Sequence, residues 1–153
     1  MNPMQDWKVV RVLSPDAIVD DAAISATAID TKGFEYCQII VDLGPTDIAM
    51  TALSVQQSDD DGSADAYADV TGLIVGTSAN IDGTTSALPS ATDDHKFIVF
   101  EFDCGKVERY VKLAGAAGNG TAGTYISALG ILSRAKEAPI TVAGRGADEV
   151  LRI

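Results

Sequence analysis

The chain of 153 residues and 15.9 kDa has the length of a single domain. Apolar residue types make up 46% of it, with a mean hydropathy of +0.14, so a sizeable core can form and global disorder is excluded. Eleven Lys and Arg residues against twenty-two Asp and Glu residues give a net charge of −11, which argues against nucleic acid or a membrane as partner, because both attract basic proteins.

Neither a membrane span nor a leader is predicted. No apolar run approaches the roughly 18–20 residues that a spanning helix needs. Residues 1–8 lack the apolar stretch of a signal peptide, so we expect a soluble protein made without Sec-type export. Two cysteines, Cys37 and Cys104, are too few to predict a disulfide framework.

The charge is distributed unevenly along the chain. Residues 1–13 carry +1, residues 14–94 carry −14, and residues 95–153 carry +2. Mildly basic ends therefore flank an acidic middle. A packed domain can mix these segments on its surface, because charge patterning bears on association more than on fold.

The first predicted strand is Lys8–Leu13, a β-branched run that ends at Ser14-Pro15. The sequence Ser14-Pro15-Asp16-Ala17 is typical of a capped helix start, with Pro at the first helical position, and predicts one or two helical turns up to Ala23. Residues 25–29 then return to strand character.

A second strand is predicted at Tyr36–Leu43, whose alternation places Cys37, Ile39, Val41 and Leu43 on one face. Residues 44–47 (GPTD) are typical of a turn. The next strand is predicted at Ile48–Gln57, and residues 58–67 and 82–94 have the composition of loops.

Three further strands are predicted in the last third of the chain. Phe97–Cys104 points Ile98, Phe100, Phe102 and Cys104 inward, and Cys104-Gly105-Lys106 can turn the chain tightly into Val107–Leu113. Residues 114–123 contain four glycines and indicate a loop. Tyr125–Leu132 alternates apolar residues on both sides, as a strand buried on both faces would. Strands joined by Gly-, Asp-, Ser- and Thr-rich loops predict one antiparallel sandwich or barrel.

Catalytic residue patterns are largely missing from the sequence. His95 is the sole histidine, which excludes a metal site built on paired histidines. A nucleophile pair of Cys104 and His95 is conceivable, but an inward-facing thiol on an apolar strand favours an inert, buried cysteine. The glycines of residues 115–120 are not followed by the Lys-Ser/Thr of a phosphate loop. We therefore predict a protein that is not an enzyme, with no catalytic or cofactor-binding residues.

The acidic loop Asp59–Asp65 resembles the start of a calcium-binding EF-hand loop. Asp59, Asp61 and Ser63 occupy the first three alternate ligand positions. However, Ala64 stands where the loop needs Gly, and Val70 stands where a bidentate Glu should close the site. These departures favour a solvated acidic loop, and no metal site is predicted, although incidental binding of a hard cation stays open.

Several blocks look like a recurring pattern in small structural proteins of tailed bacteriophages. They are Ile29–Glu35 (IDTKGFE), the strand through Ile39–Val41, and Leu53–Asp60 (LSVQQSDD), while Glu108–Leu113 (ERYVKL) is similar to the K-R-Y-V-R strand of that group. The resemblance covers residues 25–132. Residues 1–24 and 133–153 match no family pattern.

The resemblance implies a virion component, most directly a capsid decoration (cement) protein with a jelly-roll β-sandwich. It implies binding to the major capsid protein on the outside of the capsid, after synthesis in the host cytoplasm, and self-association as a homotrimer. A tail, neck or head-fibre component is one alternative, and a carbohydrate-binding sandwich module is another. The domain is expected to span residues 1–153, with candidate extended arms at residues 1–13 and 133–153 that reach a neighbouring subunit. The alternative is that residues 140–142 and 150–151 complete the sheet of their own domain.

Overall fold

A computed structural model describes residues 5–16, 18–137 and 141–151. Within these ranges the chain forms an antiparallel β-sandwich of two four-stranded sheets, which confirms the predicted fold class. The strands are β1 (Lys8–Leu13), β2 (Ile29–Asp30), β3 (Phe34–Thr46), β4 (Ala52–Ser58), β5 (Ala68–Ile74), β6 (Phe97–Asp103), β7 (Tyr110–Ala116) and β8 (Thr124–Ala135). Short 3₁₀ helices lie at Cys104–Lys106 and Ala143–Arg145. No helix in the described part of the chain has the length and apolar character to cross a bilayer.

The strands pair in a nested order. One sheet has the order β1-β8-β3-β6, called the first sheet below, and the second sheet has the order β2-β7-β4-β5. Strand β1 pairs with β8, β2 with β7, β3 with β6 and β4 with β5, all antiparallel. This is the pairing of one long hairpin that has been folded over so that its successive pairs alternate between two sheets.

The core lies between the sheets and is built from alternate residues of each strand. In β3, Cys37, Ile39, Val41 and Leu43 are all buried, as their alternation predicts. The second sheet supplies Leu53, Val55, Val111 and Leu113 to the same core. The period of two along each strand therefore sets which residues are removed from water.

The predicted helix after β1 is wrong. Residues 14–16 and 18–23 contain no helix, and Ala17 lies outside the described residues. The backbone N–H of Val19 donates instead to the carbonyl of Thr124 (3.0 Å), and that of Ile24 donates to Gly115 (2.9 Å). The segment satisfies its backbone against neighbouring strands, and this tertiary pairing overrides a local capping signal.

The predicted tight turn between the sixth and seventh strands is also wrong. Strands β6 and β7 belong to different sheets, so the chain crosses the end of the sandwich between them. The 3₁₀ helix Cys104–Lys106 begins this crossing, and the carboxylate of Asp103 caps it by accepting from the N–H of Gly105 at 2.7 Å. Strand β7 consequently begins at Tyr110 and not at Val107.

Several strand boundaries differ from the prediction. The turn predicted at residues 44–47 is instead mostly strand, because β3 continues as far as Thr46. Pro45 fits within this strand because the pairing register with β8 shifts between Leu43 and Thr46. Strand β4 begins at Ala52, and the first residues of the predicted glycine-rich loop, 114–116, lie in β7. Strand β5 was not predicted.

Part of each candidate arm belongs to a strand of the sandwich. Residues 8–13 are β1 and residues 133–135 end β8, which leaves residues 5–7, 136–137 and 141–151 as described flanks. The 3₁₀ helix Ala143–Arg145 and Gly146 lie against the start of β1, and Arg145 Nε donates to the carbonyl of Trp7, just before this strand, at 3.4 Å. Gly146 is so close that an added Cβ would lie 1.8 Å from the carbonyl oxygen of Val9. Residues 1–4, 138–140 and 152–153 of the candidate arms lie outside the described residues.

Candidate functional site

Two segments that carry the resemblance lie side by side. Strand β2 pairs with β7, which sets Ile29 opposite Val111 and Asp30 opposite Tyr110. The guanidinium of Arg109 donates to both carboxylate oxygens of Asp30, at 2.9 and 2.7 Å. Residues about 80 positions apart in the sequence are thus joined by a bidentate ion pair, whose fork geometry arginine provides.

A turn follows this ion pair and leads the chain into the other sheet. The N–H of Phe34 donates to the carbonyl of Thr31, and Gly33 adopts a φ of +90°, which a type II turn requires at that position. The hydroxyl and N–H of Thr31 both donate to the carbonyl of Arg109, at 2.8 and 2.9 Å. The turn that leads into the core strand β3 is therefore hydrogen-bonded to the residue just before β7.

The third segment of the resemblance completes the unit. Strand β4 pairs with β7 on the side opposite to β2, with Val55 facing Leu113 and Ser58 facing Tyr110. The side chain of Gln57 accepts from the N–H of Glu108 at 3.2 Å. The segments 29–33, 53–60 and 108–113 consequently form one continuous framework across β2, β7 and β4.

The Asp30–Arg109 pair contributes orientation more than energy. The hydrogen bond from Arg109 lowers the pKa of Asp30, and the backbone N–H of Lys32 acts in the same direction. Both side chains are more than two-fifths exposed, so solvent screens their attraction. The pair fixes how β2 meets β7, and nothing in its surroundings makes it a reactive site.

The structure separates the candidate nucleophile from the histidine. His95 precedes β6 and Cys104 follows it, and a strand of seven residues spans roughly 23 Å. A general base must come within hydrogen-bond reach of its nucleophile, so this pair cannot act together.

Both thiols lie in surroundings that disfavour the thiolate. Burial raises the pKa of Cys37 to about 12, and the nearby Cys104 thiol adds to this. Burial also raises the pKa of Cys104 to about 11, with a further contribution from the charge of Asp103. Reactive cysteines show the opposite shift, because the thiolate is the nucleophile.

The acidic loop between β4 and β5 is organised around Asp60. Its carboxylate accepts from the N–H groups of Ser63, Ala64 and Asp65, at 3.0, 2.7 and 3.1 Å. These backbone hydrogen bonds, with that of Ala64 foremost, lower the pKa of Asp60. The carboxylate thus acts as an internal cap for the loop, a role that short acidic side chains often take in turns.

Two of the EF-hand ligand positions have other neighbours. Asp61 accepts a hydrogen bond from the Tyr67 hydroxyl. Asp59 lies instead beside Asp65 and Glu108, and one carboxylate oxygen of each falls within 4.8 Å of the others. Burial, and then the charges of Asp65 and Asp59, raise the pKa of Glu108. This trio has the oxygen ligands that a hard cation prefers, but exposed acidic groups also cluster without one. The sequence did not indicate Glu108, because this residue lies just before β7, about 50 positions from Asp59.

Other acidic side chains also accept hydrogen bonds within loops. The carboxylate of Asp47 accepts from the N–H groups of Thr121, Ala122 and Gly123, and that of Ala122 is the main cause of its lowered pKa. The pKa of Asp93 is lowered chiefly by its hydrogen bond from Lys96. Part of the acidic excess therefore shapes loops that contain few apolar residues.

A groove of about 570 Å³ opens between the free edges of β5 and β6. Leu73, Val75 and Phe100 lie along it, and Ile81 also lines it. Phe97 and Phe100 are the aromatic residues among its lining, and Phe100 is buried. A sugar-binding surface typically presents exposed aromatic rings for stacking, and this groove offers Phe97.

The outer face of the first sheet, meaning its side turned away from the core, is unusually apolar. Leu129, Ile40 and Val99 form one continuous row across β8, β3 and β6, because Leu129 faces Ile40 and Ile40 faces Val99. Val9, Ile131 and Phe97 extend this surface on either side, and Phe97 is 68% exposed. Such a patch on a soluble domain typically marks a contact surface.

The outer face of the second sheet is different. Its central positions are the small or polar residues Ser54, Gln56, Lys112 and Ala114. The carboxylate of Asp69 accepts from Ser54 at 2.8 Å and from Gln56 at 3.1 Å, so these groups are already satisfied within the chain. The contrast identifies the outer face of the first sheet as the candidate functional surface.

No family model matches the chain, and no curated protein matches it significantly.

Proposed function

We propose that this chain is a non-enzymatic structural protein of a tailed-bacteriophage virion, a capsid decoration protein that binds the outside of the assembled major capsid protein shell. The observation that carries the proposal is the placement of the resemblance segments. Residues 29–33, 53–60 and 108–113 lie side by side along β2, β4 and β7 and the turns next to them, and the Asp30–Arg109 ion pair joins two of these blocks. The remaining block, Ile39–Val41, lies in β3 of the first sheet. Three of the four blocks that carry the resemblance therefore meet in one sheet, which supports a shared architecture.

We further propose that the sandwich is a jelly roll. The nested pairing of β1 with β8, β2 with β7, β3 with β6 and β4 with β5 supports this topology. Jelly rolls recur in viral capsid domains and in lectins, so the topology agrees with a virion protein and also with the carbohydrate-binding alternative. Fold by itself does not select a function.

The chemistry of the described residues favours a binding role. The candidate nucleophile is remote from the histidine, both thiols have raised pKa values, and several carboxylates are hydrogen-bonded to loop backbone. The most distinctive surface is the apolar outer face of the first sheet. Such a surface suits contact with another protein chain.

The proposed mechanism is stabilisation by mass action. A protein that binds only the assembled shell stabilises it by RT ln(1 + [L]/Kd), which is about 2.7 kcal/mol per site at a hundredfold excess over Kd. Many copies on one shell add these contributions. Several identical contacts made by an oligomer of this chain would increase the avidity.

Co-sedimentation tests the proposal. The purified chain is mixed with assembled shells of the major capsid protein from the phage that encodes it, and with the same protein unassembled as control. We expect the chain to pellet with the shells at a fixed stoichiometry and to raise their melting temperature. Failure to pellet with shells, combined with binding to isolated tails or to polysaccharide, would overturn the proposal in favour of the other virion positions or the carbohydrate-binding module.

A further inference from the structure

The outward residues of the first sheet follow a pattern from which a binding partner for this face can be inferred. Along β8 the outward residues are Tyr125, Ser127, Leu129, Ile131 and Ser133, and along β3 they are Tyr36, Gln38, Ile40 and Asp42. The strand register places Leu129 beside Ile40, Ser127 beside Asp42 and Ser133 beside Tyr36. Leu129 and Ile40 are both apolar. In the other two pairs a small serine with a hydroxyl group stands beside Asp42 or Tyr36.

The two edges of this face differ in charge. On β1 the outward residues are Val9 and Arg11, whereas on β6 they include Glu101 and Asp103. Arg11 belongs to the row of Leu129, Ile40 and Val99, and Glu101 lies one outward position from Val99 on β6. One edge therefore carries a basic side chain and the opposite edge two acidic ones, with the apolar row of Leu129, Ile40 and Val99 between them. Two charged side chains flank this row on the central strands, namely Asp42 and Arg134, whose guanidinium lies 5.2 Å from the centre of the Tyr36 ring.

We propose that a second copy of this chain covers the outer face of the first sheet, across a two-fold axis that lies in the interface parallel to the strands, between β8 and β3. This rotation lays β8 of one copy over β3 of the other and β1 over β6. Each outward residue of β8 then lies over a residue of β3 in the partner copy. It is the same β3 residue that stands beside it in its own sheet. Leu129 packs on Ile40, the hydroxyl of Ser127 reaches the carboxylate of Asp42, and Tyr36 lies over Ser133.

The charged edges become complementary in the same arrangement. Arg11 of one copy lies over β6 of the other, within side-chain reach of Glu101, and the symmetry repeats the contact. Glu101 accepts a hydrogen bond from Gln38 at 2.7 Å, which holds its carboxylate on the outer face. Ion pairs at the rim of an interface set its register and orientation, and apolar side chains at its centre supply the affinity.

The size of the face suits such a contact. Four strands about 4.8 Å apart and seven residues of about 3.3 Å give a projected area of roughly 450 Å². Side-chain relief brings the accessible area toward the roughly 800 Å² per partner of a standard interface. In the row that begins at Arg11, the three residues Leu129, Ile40 and Val99 on β8, β3 and β6 are all uncharged. The chain as a whole has a net charge of −11. Interface centres are depleted of charge in the same way.

This inference goes beyond the proposed function, because it concerns the purified chain and requires no shell. It also differs from the three copies that the resemblance implies, since a two-fold contact predicts a dimer. Sedimentation equilibrium separates the two, and we expect a mass of about twice 15.9 kDa. A monomer at all concentrations, or a trimer, overturns the inference.

Charge reversal tests the geometry. Arg11→Glu and Glu101→Arg should each weaken the dimer at least tenfold, and the double variant should restore its dissociation constant to within about threefold of the wild type. Lys112→Glu, a matched reversal on the outer face of the second sheet, should leave the dimer unchanged. Far-UV circular dichroism checks that each variant is folded.

Each result decides the inference. If both single variants remain dimeric, or the double variant is weaker than either, another surface joins the copies and the inference is wrong. If the chain is monomeric and Arg11→Glu abolishes shell binding, the face binds coat protein. That outcome overturns the inference but supports the proposed function.

Discussion

Truncating Leu113 should destabilise the sandwich severely, and its neighbour Lys112 provides a matched comparison. Leu113 is fully buried in β7 and faces Val55 across the sheet register. Removing a buried leucine side chain down to Cβ typically costs about 3–4 kcal/mol, because the lost transfer free energy is joined by the energy of the cavity. For a domain of about 150 residues, this lowers the melting temperature by roughly 6–15 °C.

Lys112 lies on the opposite face of the same strand, with its ammonium 5.0 Å from the centre of the Tyr67 ring. Lys112→Ala removes an exposed cation–π contact and should cost less than about 1 kcal/mol. Urea unfolding followed by circular dichroism measures both variants, and the midpoint should fall for Leu113→Ala with no change in the m-value. Equal losses for the two variants would refute the assignment of Leu113 to the core and with it the sheet register.

Three further predictions follow from the described contacts. The Asp30–Arg109 pair lowers the pKa of Asp30 below its ordinary value of 3.8, so the small stability advantage of wild type over Arg109→Ala should be present at neutral pH and should vanish as the pH falls well below 3.8; an advantage that persists at pH 2 contradicts this. Cys37 should react with a thiol reagent more slowly than Cys104 at pH 8, and both should react far faster in urea, because burial raises both pKa values; rapid native labelling of Cys37 would show that the core is open. Gly146→Ala places a Cβ against β1 at a φ of +70°, so limited proteolysis should cut residues 141–151 faster while the circular dichroism melt changes little; unchanged cleavage would show that this segment does not depend on its contact with β1.

Strand alternation predicted the core because burial on one side of a strand leaves a period of two in the sequence. Cys37, Ile39, Val41 and Leu43 followed this rule and are buried. The apolar residues on both sides of β8 were equally visible, but Leu129 on the second side is 40% exposed within the single chain. That strand is the sequence signal that points to the proposed contact surface.

The remaining differences have identifiable causes. The helix predicted up to Ala23 competes with backbone pairing to distant strands, which no local window shows. Strand β5 is an edge strand with mostly exposed or half-buried residues and a glycine at position 72, so its hydrophobic pattern is weak. The proximity of Glu108 to Asp59 and Asp65 depends on how β7 meets the end of β4, and long-range pairing of this kind has no signature in sequence spacing.

Cryo-electron microscopy of shells after incubation with a saturating amount of the purified chain tests the central claim most directly. We predict additional density of the size of this sandwich at symmetric positions on the outer surface of the assembled major capsid protein, with two sheets in the order β1-β8-β3-β6 and β2-β7-β4-β5 fitting that density. Shells that remain bare at saturation, or density for the chain only on tails or necks, would contradict a capsid decoration protein.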